Sequence, residues 1–376
     1  MRTIGTTHRG YFNDRCITQV PHTDYRVVRA PNAFRLPNGL WFRLTGRIHH
    51  RWLNSHWSAR RGGIALLHLL NGIHRGRQPW VTTFETYLPR WGAYGYGRIE
   101  GGLKHLVQPN CHRLIALSEC ARRIQEQFLA DYAAYRAEIL AKVQVIGPPQ
   151  ALKVQHYGEK ELAPDRIDFT LVGADFFRKG GLELLRAFAR VLQRGAPVRF
   201  NIVSRLQYGD YASQTGPQDL AVAQQIIARH PGAIVHHSTL PNPEVLALFR
   251  RTHVGLLPTW GDTYGFSVLE AQANACPVIT TDLRALPEIN GADRGWLISV
   301  EKDSWGNAVL NTEIQRRKYA AALTDHLEAL IEQIVAHPEQ IAHKGAAALD
   351  YVRRNHNPHR IAAQIAAVYD AALGPE

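Results

Sequence analysis

The stretch GDTYGFSVLEA, residues 261–271, lies between the apolar runs VGLLP (254–258) and PVITT (277–281). An apolar run closing on Pro258, a turn of Gly, Thr and Ser, and an apolar-periodic segment read as strand, loop and helix. Such a loop delivers free backbone N–H groups to a helix start, where the first amides lack intrahelical acceptors and the dipole favours negative charge. Gly265 admits a ligand close to the backbone. Asp262 and Glu270, eight residues apart, can both border that ligand. A carboxylate pair beside an anion nest suits a polyhydroxylated, phosphate-bearing molecule. The alternative is that Asp262 only caps the helix and Glu270 is a solvated side chain.

Working outward, DFTLVGADFFRKGGLELLRAFARVL (168–192) repeats the grammar: strand 169–173, a loop holding Arg178, Lys179, Gly180 and Gly181, then an amphipathic helix. Adjacent cations and open backbone at a helix start are what a diphosphate needs, although an Arg-Lys pair is often merely solvated. Further strands are expected at 198–203, 233–237, 254–257, 277–280 and 296–298, alternating with helices. That rhythm specifies a doubly wound parallel α/β sheet, whose ligands bind beyond the C-terminal strand ends.

Taken together, LVGADFFRKGG (171–181), GLLPTWGDTYGFSVLEAQANACPVITT (255–281) and LPEINGADRGWLI (286–298), with a fainter echo in LIALSECARRI (114–124), resemble the retaining glycosyltransferases of the GT-B fold, in the glycogen-synthase-related glycosyltransferase family 4. The resemblance spans about residues 165–300. It implies two Rossmann-like domains facing a cleft: an acceptor-side domain of 1–150 plus 357–376, with the final helix crossing back, and a donor-binding domain of 151–356. It further implies that Glu270 binds ribose hydroxyls, Asp262 binds the transferring sugar, and Arg178 and Lys179 neutralise the leaving diphosphate. The amides of Gly265, Phe266 and Ser267 assist, and Thr263, Tyr264, Gly173, Ser204 and Arg205 complete the donor set. Transfer in the family runs on one face of the sugar with the phosphate taking the acceptor proton. The resemblance therefore implies no covalent nucleophile, no metal and no cofactor beyond a nucleoside-diphosphate sugar, UDP ahead of GDP.

Three positions depart from the family pattern. Glu85, in TFE (83–85), stands where relatives carry a His that reaches the reaction centre; it can hydrogen-bond a sugar hydroxyl or serve as base toward the acceptor, or it only caps a turn. Asp262 replaces a Glu, shortening the reach by one methylene. Ala275 replaces a Gly, and a left-handed turn there would cost alanine about 1 kcal/mol or more.

At 376 residues, 45% apolar and 20% charged, the chain fits two domains of an ordinary globular protein. It has no apolar run of about 18 residues and no signal-peptide pattern, which points to the cytoplasm. Cys16, Cys111, Cys120 and Cys276 lack metal spacing and read as reduced thiols. The net charge of +12 is uneven: residues 1–150 hold 21 Lys and Arg against 8 Asp and Glu, whereas 151–376 hold 23 against 24. The first half therefore faces an anionic partner, such as a membrane surface, a phosphorylated lipid acceptor or an acidic saccharide. Nucleic acid would meet the same electrostatics, but no helix-turn-helix, zinc or RNA-binding signature supports it.

Between 41 and 61, Trp41, Leu44, Ile48 and Trp52 recur at helical spacing beside Arg43, Arg47 and Arg51. This reads as a basic interfacial helix on an anionic membrane, the alternative being a core helix with a solvated basic edge. In residues 1–40 only RVVRA (26–30) reads as a strand, which would place the loop after the first strand at PNAFRLPNG (31–39). The run RWGAYGYGRIEGG (90–102) reads as a mobile loop contacting the acceptor.

The expected activity is sugar transfer to an anionic or lipid-linked saccharide, in cell-envelope or exopolysaccharide assembly at the inner membrane face. A sugar-nucleotide 2-epimerase of the same fold and a non-catalytic nucleotide-sugar or glycan-binding subunit are the rivals. The first would convert donor without acceptor; slow donor hydrolysis would argue against the second.

Overall fold

The computed structural model describes residues 1–7, 10–58, 63–91, 99–209 and 211–374. They form two compact units, Met1–Pro149 with His356–Glu376, and Gln150–Asn355. Each unit is a parallel six-stranded sheet with helices on its faces, the GT-B type of α/β fold.

In the first unit the strands are β1 (Arg2–Thr6), β2 (Tyr25–Arg29), β4 (Leu66–Leu70), β6 (Trp80–Phe84), β7 (Cys111–Ala116) and β8 (Val143–Val145), ordered β2-β1-β4-β6-β7-β8; β3 (Ser55–His56) and β5 (Ile73–His74) make a separate parallel pair. All five residues of β4 and of β6 are buried, as continuous apolar runs in a two-sided sheet must be. The helices are α1 (Tyr11–Asn13), α2 (Arg35–Thr45), α3 (His50–Leu53), α4 (Ile99–Leu106), α5 (Glu119–Phe128) and α6 (Ala133–Ala141).

Two expectations are corrected here. The first strand is β1, not RVVRA, which forms β2 at the sheet edge. RTIGT hides its strand character because Gly5 is required: a Cβ there would lie about 3.0 Å from Ile64 and Leu67 and 3.1 Å from Ala30. The segment after the first strand therefore begins at Thr7, not at residue 31, and Gly10, at φ 121°, precedes α1; residues 8–9 lie outside the described residues. Second, the 41–61 periodicity is not one helix. Gly46, at φ 67°, caps α2 by donating its N–H to the Phe42 carbonyl, the usual left-handed stop, and a short α3 follows. Trp41 and Trp52 face one another edge to face at 6.0 Å, with His49 stacked on Trp52 at 4.0 Å. The apolar face left in solvent is instead Leu36 (84% exposed), Leu40 (59%) and Leu44 (75%), and α2 buries no residue. Residues 59–61 of that stretch and 92–98 of the aromatic-glycine run lie outside the described residues.

The second unit orders its strands β11-β10-β9-β12-β13-β14, with β9 (Ile167–Val172), β10 (Val198–Val203), β11 (Ile234–His237), β12 (Val254–Leu257), β13 (Val278–Thr281) and β14 (Gly295–Ile298). Its helices are α7 (Gly181–Gln193), α8 (Pro217–Arg229), α9 (Asn242–Arg251), α10 (Phe266–Gln272), α11 (Leu286–Ile289), α12 (Glu313–Ala336) and α13 (Glu339–Asn355). β9 and β12 are parallel neighbours from which the strand order runs outward in opposite directions, so the loops after these two strands meet at the switch point, where ligands of such sheets bind. Helices α7, α8 and α12 pack together, as do α9, α10 and α13. Residues 150–166 lie against this unit: Lys160 Nζ donates to the carbonyls of Phe249 (3.0 Å) and Asn274 (2.8 Å).

The last helix, α14 (Pro358–Leu373), belongs to the first unit. Asn357 caps it, accepting from the amides of His359 and Arg360. Tyr369 bonds His68 Nδ1 at 2.6 Å, and the other ring nitrogen of His68 meets Thr83 Oγ1 at 2.8 Å. Burial holds that imidazole far down, at about 3, so it is a neutral structural link.

Candidate functional site

The loop after β9 is shaped by its glycines. Gly180 sits at φ 78°, where a Cβ would also collide with the Pro258 carbonyl, so only glycine closes the turn onto the neighbouring loop. Gly173 leaves the space over which the Lys179 methylenes run. Lys179 Nζ thereby reaches Asp262 Oδ2 at 3.0 Å. Arg178 forks onto Asp175 Oδ2, at 3.1 Å from Nε and 2.6 Å from Nη2, donates to the Gly261 carbonyl, and stands 3.9 Å from Asp262.

The loop after β12 is organised by Thr259. Its hydroxyl lies 3.0 Å from both the Arg178 and Gly261 carbonyls and accepts the Gly261 N–H. Trp260 N–H donates to the Arg178 carbonyl at 2.8 Å. The two loops are thus tied through main chain as well as through the Lys179–Asp262 pair. Asp262 Oδ1 accepts from the Tyr264 amide at 3.3 Å, and Gly265, at φ 92°, opens α10. Burial works to raise the Asp262 carboxyl; Lys179, Arg178 and the bonds it accepts outweigh that and hold it below the usual carboxylate value. It is ionised at neutral pH.

Of the expected donor residues, Tyr264 and Phe266 bury their rings against each other at 5.1 Å, so these two residues offer their backbone. Ser267 Oγ is buried and lacks a protein partner among the described residues. Glu270 is buried on α10, with Asn242 of α9 donating to it at 3.4 Å. Ser204 is buried at the end of β10, its hydroxyl bonded to the Ala174 carbonyl at 3.3 Å and its own carbonyl taken by His236 at 2.8 Å; Arg205 is exposed and Thr263 half-buried. The structure joins Arg178, Lys179 and Asp262 directly.

Sequence reasoning missed Thr259, Trp260, Asp175 and Asn242. The one available signal was TWGD (259–262), where Trp and Gly follow within four residues of a strand end.

Glu85 belongs to the first unit, directly after β6. Its amide donates to Asn71 Oδ1 at 3.2 Å, and its carboxylate lies 3.7 Å from Arg90. Asn71 holds a left-handed φ of 53°, which asparagine tolerates better than most residues. The nearby Cys16 thiol is pushed up to about 12, by burial first and by Glu85 second. Arg15 bonds Tyr11 Oη at 2.9 Å and the Pro149 carbonyl at 3.4 Å. Among the described residues no three His, Cys, Asp or Glu gather as a metal site, and no helix is long and apolar enough to cross a membrane.

Residues 166–312 match the family model described as Glycosyl transferases group 1. The chain is similar to a D-inositol 3-phosphate glycosyltransferase of Rhodococcus erythropolis (strain PR4), 26% identical over 285 residues, covering 70% of this chain and 58% of that protein. It therefore spans less than two thirds of that relative. Among solved structures, a glycosyltransferase from Rickettsia africae ESF-5 superposes with a TM-score of 0.61 at 13% identity, covering 100% of this chain and 99% of its own. The Anabaena protein HepE, in complex with UDP and glucose, gives 0.58 at 13% identity, with 98% and 91% covered.

Proposed function

We propose that this chain, a GT-B-fold protein whose residues 166–312 match the group 1 glycosyltransferase model, moves a sugar from a nucleoside-diphosphate donor to an anionic or lipid-linked saccharide, with retention and without a metal. The observation that carries this reading is the convergence of Lys179 and Arg178 on Asp262 at the switch point, between two helices that each begin on a left-handed glycine.

In this reading the C1–oxygen bond to the diphosphate breaks while the acceptor oxygen bonds to C1, and the acceptor proton passes to the departing phosphate. Negative charge grows at that phosphate, where Lys179 and Arg178 stand preorganised and partly desolvated. Asp262 contacts the transferring sugar, and Glu270 contacts the ribose. Ser267 Oγ and the amides of Gly265 and Phe266 complete the anion contacts. Gly173, Thr263 and Tyr264 border the donor, with Ser204 and Arg205 toward the base. Glu85 acts toward the acceptor. UDP is the first choice of carrier, supported by the UDP bound to HepE, with GDP as its competitor.

The acceptor side is assigned to the anionic surface of a membrane, at its cytoplasmic face in cell-envelope or polysaccharide assembly. Leu36, Leu40 and Leu44 stand in solvent beside exposed Arg35, Arg43 and Arg47, the combination that binds an anionic interface.

Thermal unfolding with UDP, GDP, ADP and dTDP, with and without Mg²⁺, on wild type and Glu270→Ala tests the donor site. One nucleotide at about 100 times its Kd should add about 2.7 kcal/mol, independently of Mg²⁺, and the mutant should lose the effect. A flat panel at saturation overturns the reading. Conversion of donor to its C2 epimer without acceptor would replace transfer by epimerisation.

A further inference from the structure

Glu183 interrupts an apolar run, Leu182, Leu184 and Leu185, in the first turn of α7, two residues beyond the glycine pair. It is buried, and its Oε2 accepts the Trp260 indole N–H at 3.1 Å. A carboxylate in an otherwise apolar core is expensive unless it performs a task that leucine cannot.

What it holds is the hub between the two loops. The Trp260 ring packs on Tyr319 of α12 at 4.6 Å, and the Tyr319 hydroxyl donates to the Thr259 carbonyl at 3.0 Å, which also takes the Thr281 hydroxyl at 2.8 Å. From this fixed base, Trp260 N–H and Thr259 Oγ1 both grip the Arg178 carbonyl, and the Gly261 carbonyl receives the Arg178 guanidinium. The reach of Arg178 and Lys179 is therefore set by how residues 259–261 are seated. The buried side-chain bond that ties α7 to this seat is Glu183 to Trp260.

We infer that Glu183 is a positioning residue for the donor diphosphate: through Trp260 it fixes the spacing between the 178–181 loop and the 259–262 loop, and with it the placement of the cations that receive the phosphates. This rests on the nucleotide-sugar reading above. Burial pushes its carboxyl up to about 7, against the opposing pull of its own amide, Trp260 and Arg186 on its own helix; Asp219 at the start of α8 adds to the rise, and Tyr319 on α12 faces it. A bound diphosphate adds negative charge nearby and favours the protonated carboxyl, so donor binding takes up a proton and strengthens as pH falls through neutrality.

The test uses the full chain and intact nucleotide-diphosphate glucoses of uracil, guanine, adenine and thymine, whose doubly esterified phosphates do not titrate near neutrality. For whichever one binds, wild-type affinity should strengthen about threefold between about pH 8 and about pH 6. Glu183→Gln keeps an acceptor for Trp260 and should bind with a flat profile. Glu183→Leu and Trp260→Phe should each weaken binding about tenfold at unchanged fold, and the double variant should add little to either single one. Should Glu183→Leu fail to fold, Glu183→Gln and Trp260→Phe decide. Wild-type affinity in folded Trp260→Phe together with an unchanged pH profile in Glu183→Gln overturns the inference while leaving the donor reading intact. Failure of every nucleotide sugar to bind wild type overturns both.

Discussion

The two units share a six-stranded parallel sheet and differ in what their charges do. In the second, Lys and Arg nearly balance Asp and Glu, and the cations of the candidate site are set against carboxylates at 2.6–3.9 Å. In the first, 21 cations face 8 acids within residues 1–150, and α2 holds three leucines in water. The first arrangement works at short range, where partial burial makes direction matter and salt matter little. The second produces a field extending over roughly a Debye length, about 10 Å in 0.1 M salt, and an apolar edge that adheres without specificity. On the proposed reading, one unit holds a small charged molecule in one pose and the other stays near a charged surface.

The largest effect should come from removing the shorter-range element. Lys179→Ala deletes the cation 3.0 Å from Asp262 and should lower kcat on the order of 10²–10³-fold with the circular dichroism spectrum retained; near wild-type turnover would remove Lys179 from the chemistry. Next, Gly180→Ala places a Cβ against the Pro258 carbonyl at a left-handed φ of 78° and should destabilise by about 2–4 kcal/mol in urea titrations. Gly173→Ala sharpens the contrast, because the three atoms nearest its Cβ all belong to the flexible Lys179 side chain. Stability should change by less than about 1 kcal/mol while transfer falls about tenfold. Equal losses of stability in both would mean that Lys179 is not the movable partner.

In the first unit, the triple change Leu36→Ser, Leu40→Ser and Leu44→Ser should leave urea stability within about 0.5 kcal/mol, since these side chains are already in water. Co-sedimentation with phosphatidylserine vesicles should fall about tenfold or more. Wild-type vesicle binding should also weaken steeply with salt, whereas nucleotide binding in the second unit should weaken less. Equal binding to neutral vesicles would break the distinction.

The second unit was legible because its information is local: Gly, Arg-Lys and a Pro-terminated apolar run are each visible within a dozen residues. The first strand was not, since RTIGT carries a single large apolar residue and its identity depends on Gly5 fitting under Ile64 and Leu67, far along the chain. The 41–61 periodicity misled for the opposite reason. A true 3.6-residue repeat runs through a glycine stop, and the side chains it aligned, Trp41 and Trp52, pack on each other. Glu183 and Trp260 were invisible as a pair because their 77-residue separation is closed only by the neighbouring of β9 and β12.

The smallest effects compare two left-handed residues, Asn71 in the first unit (φ 53°) and Ala275 in the second (φ 52°). The sequence anticipated strain at Ala275, and the turn is indeed left-handed. Its methyl group, however, is fully buried against Val154 and Leu349. Ala275→Gly should relieve about 1 kcal/mol of backbone strain and lose about 0.8 kcal/mol of buried methyl, for a net change within about 0.5 kcal/mol of zero. Asn71→Gly relieves little, because asparagine tolerates the conformation, and it removes the acceptor of the Glu85 amide, so it should destabilise by about 1 kcal/mol. Urea denaturation of both variants reads the difference directly. A gain above about 2 kcal/mol in Ala275→Gly would mean that the methyl packing is worth nothing and that the second unit carries uncompensated strain in the turn between α10 and β13.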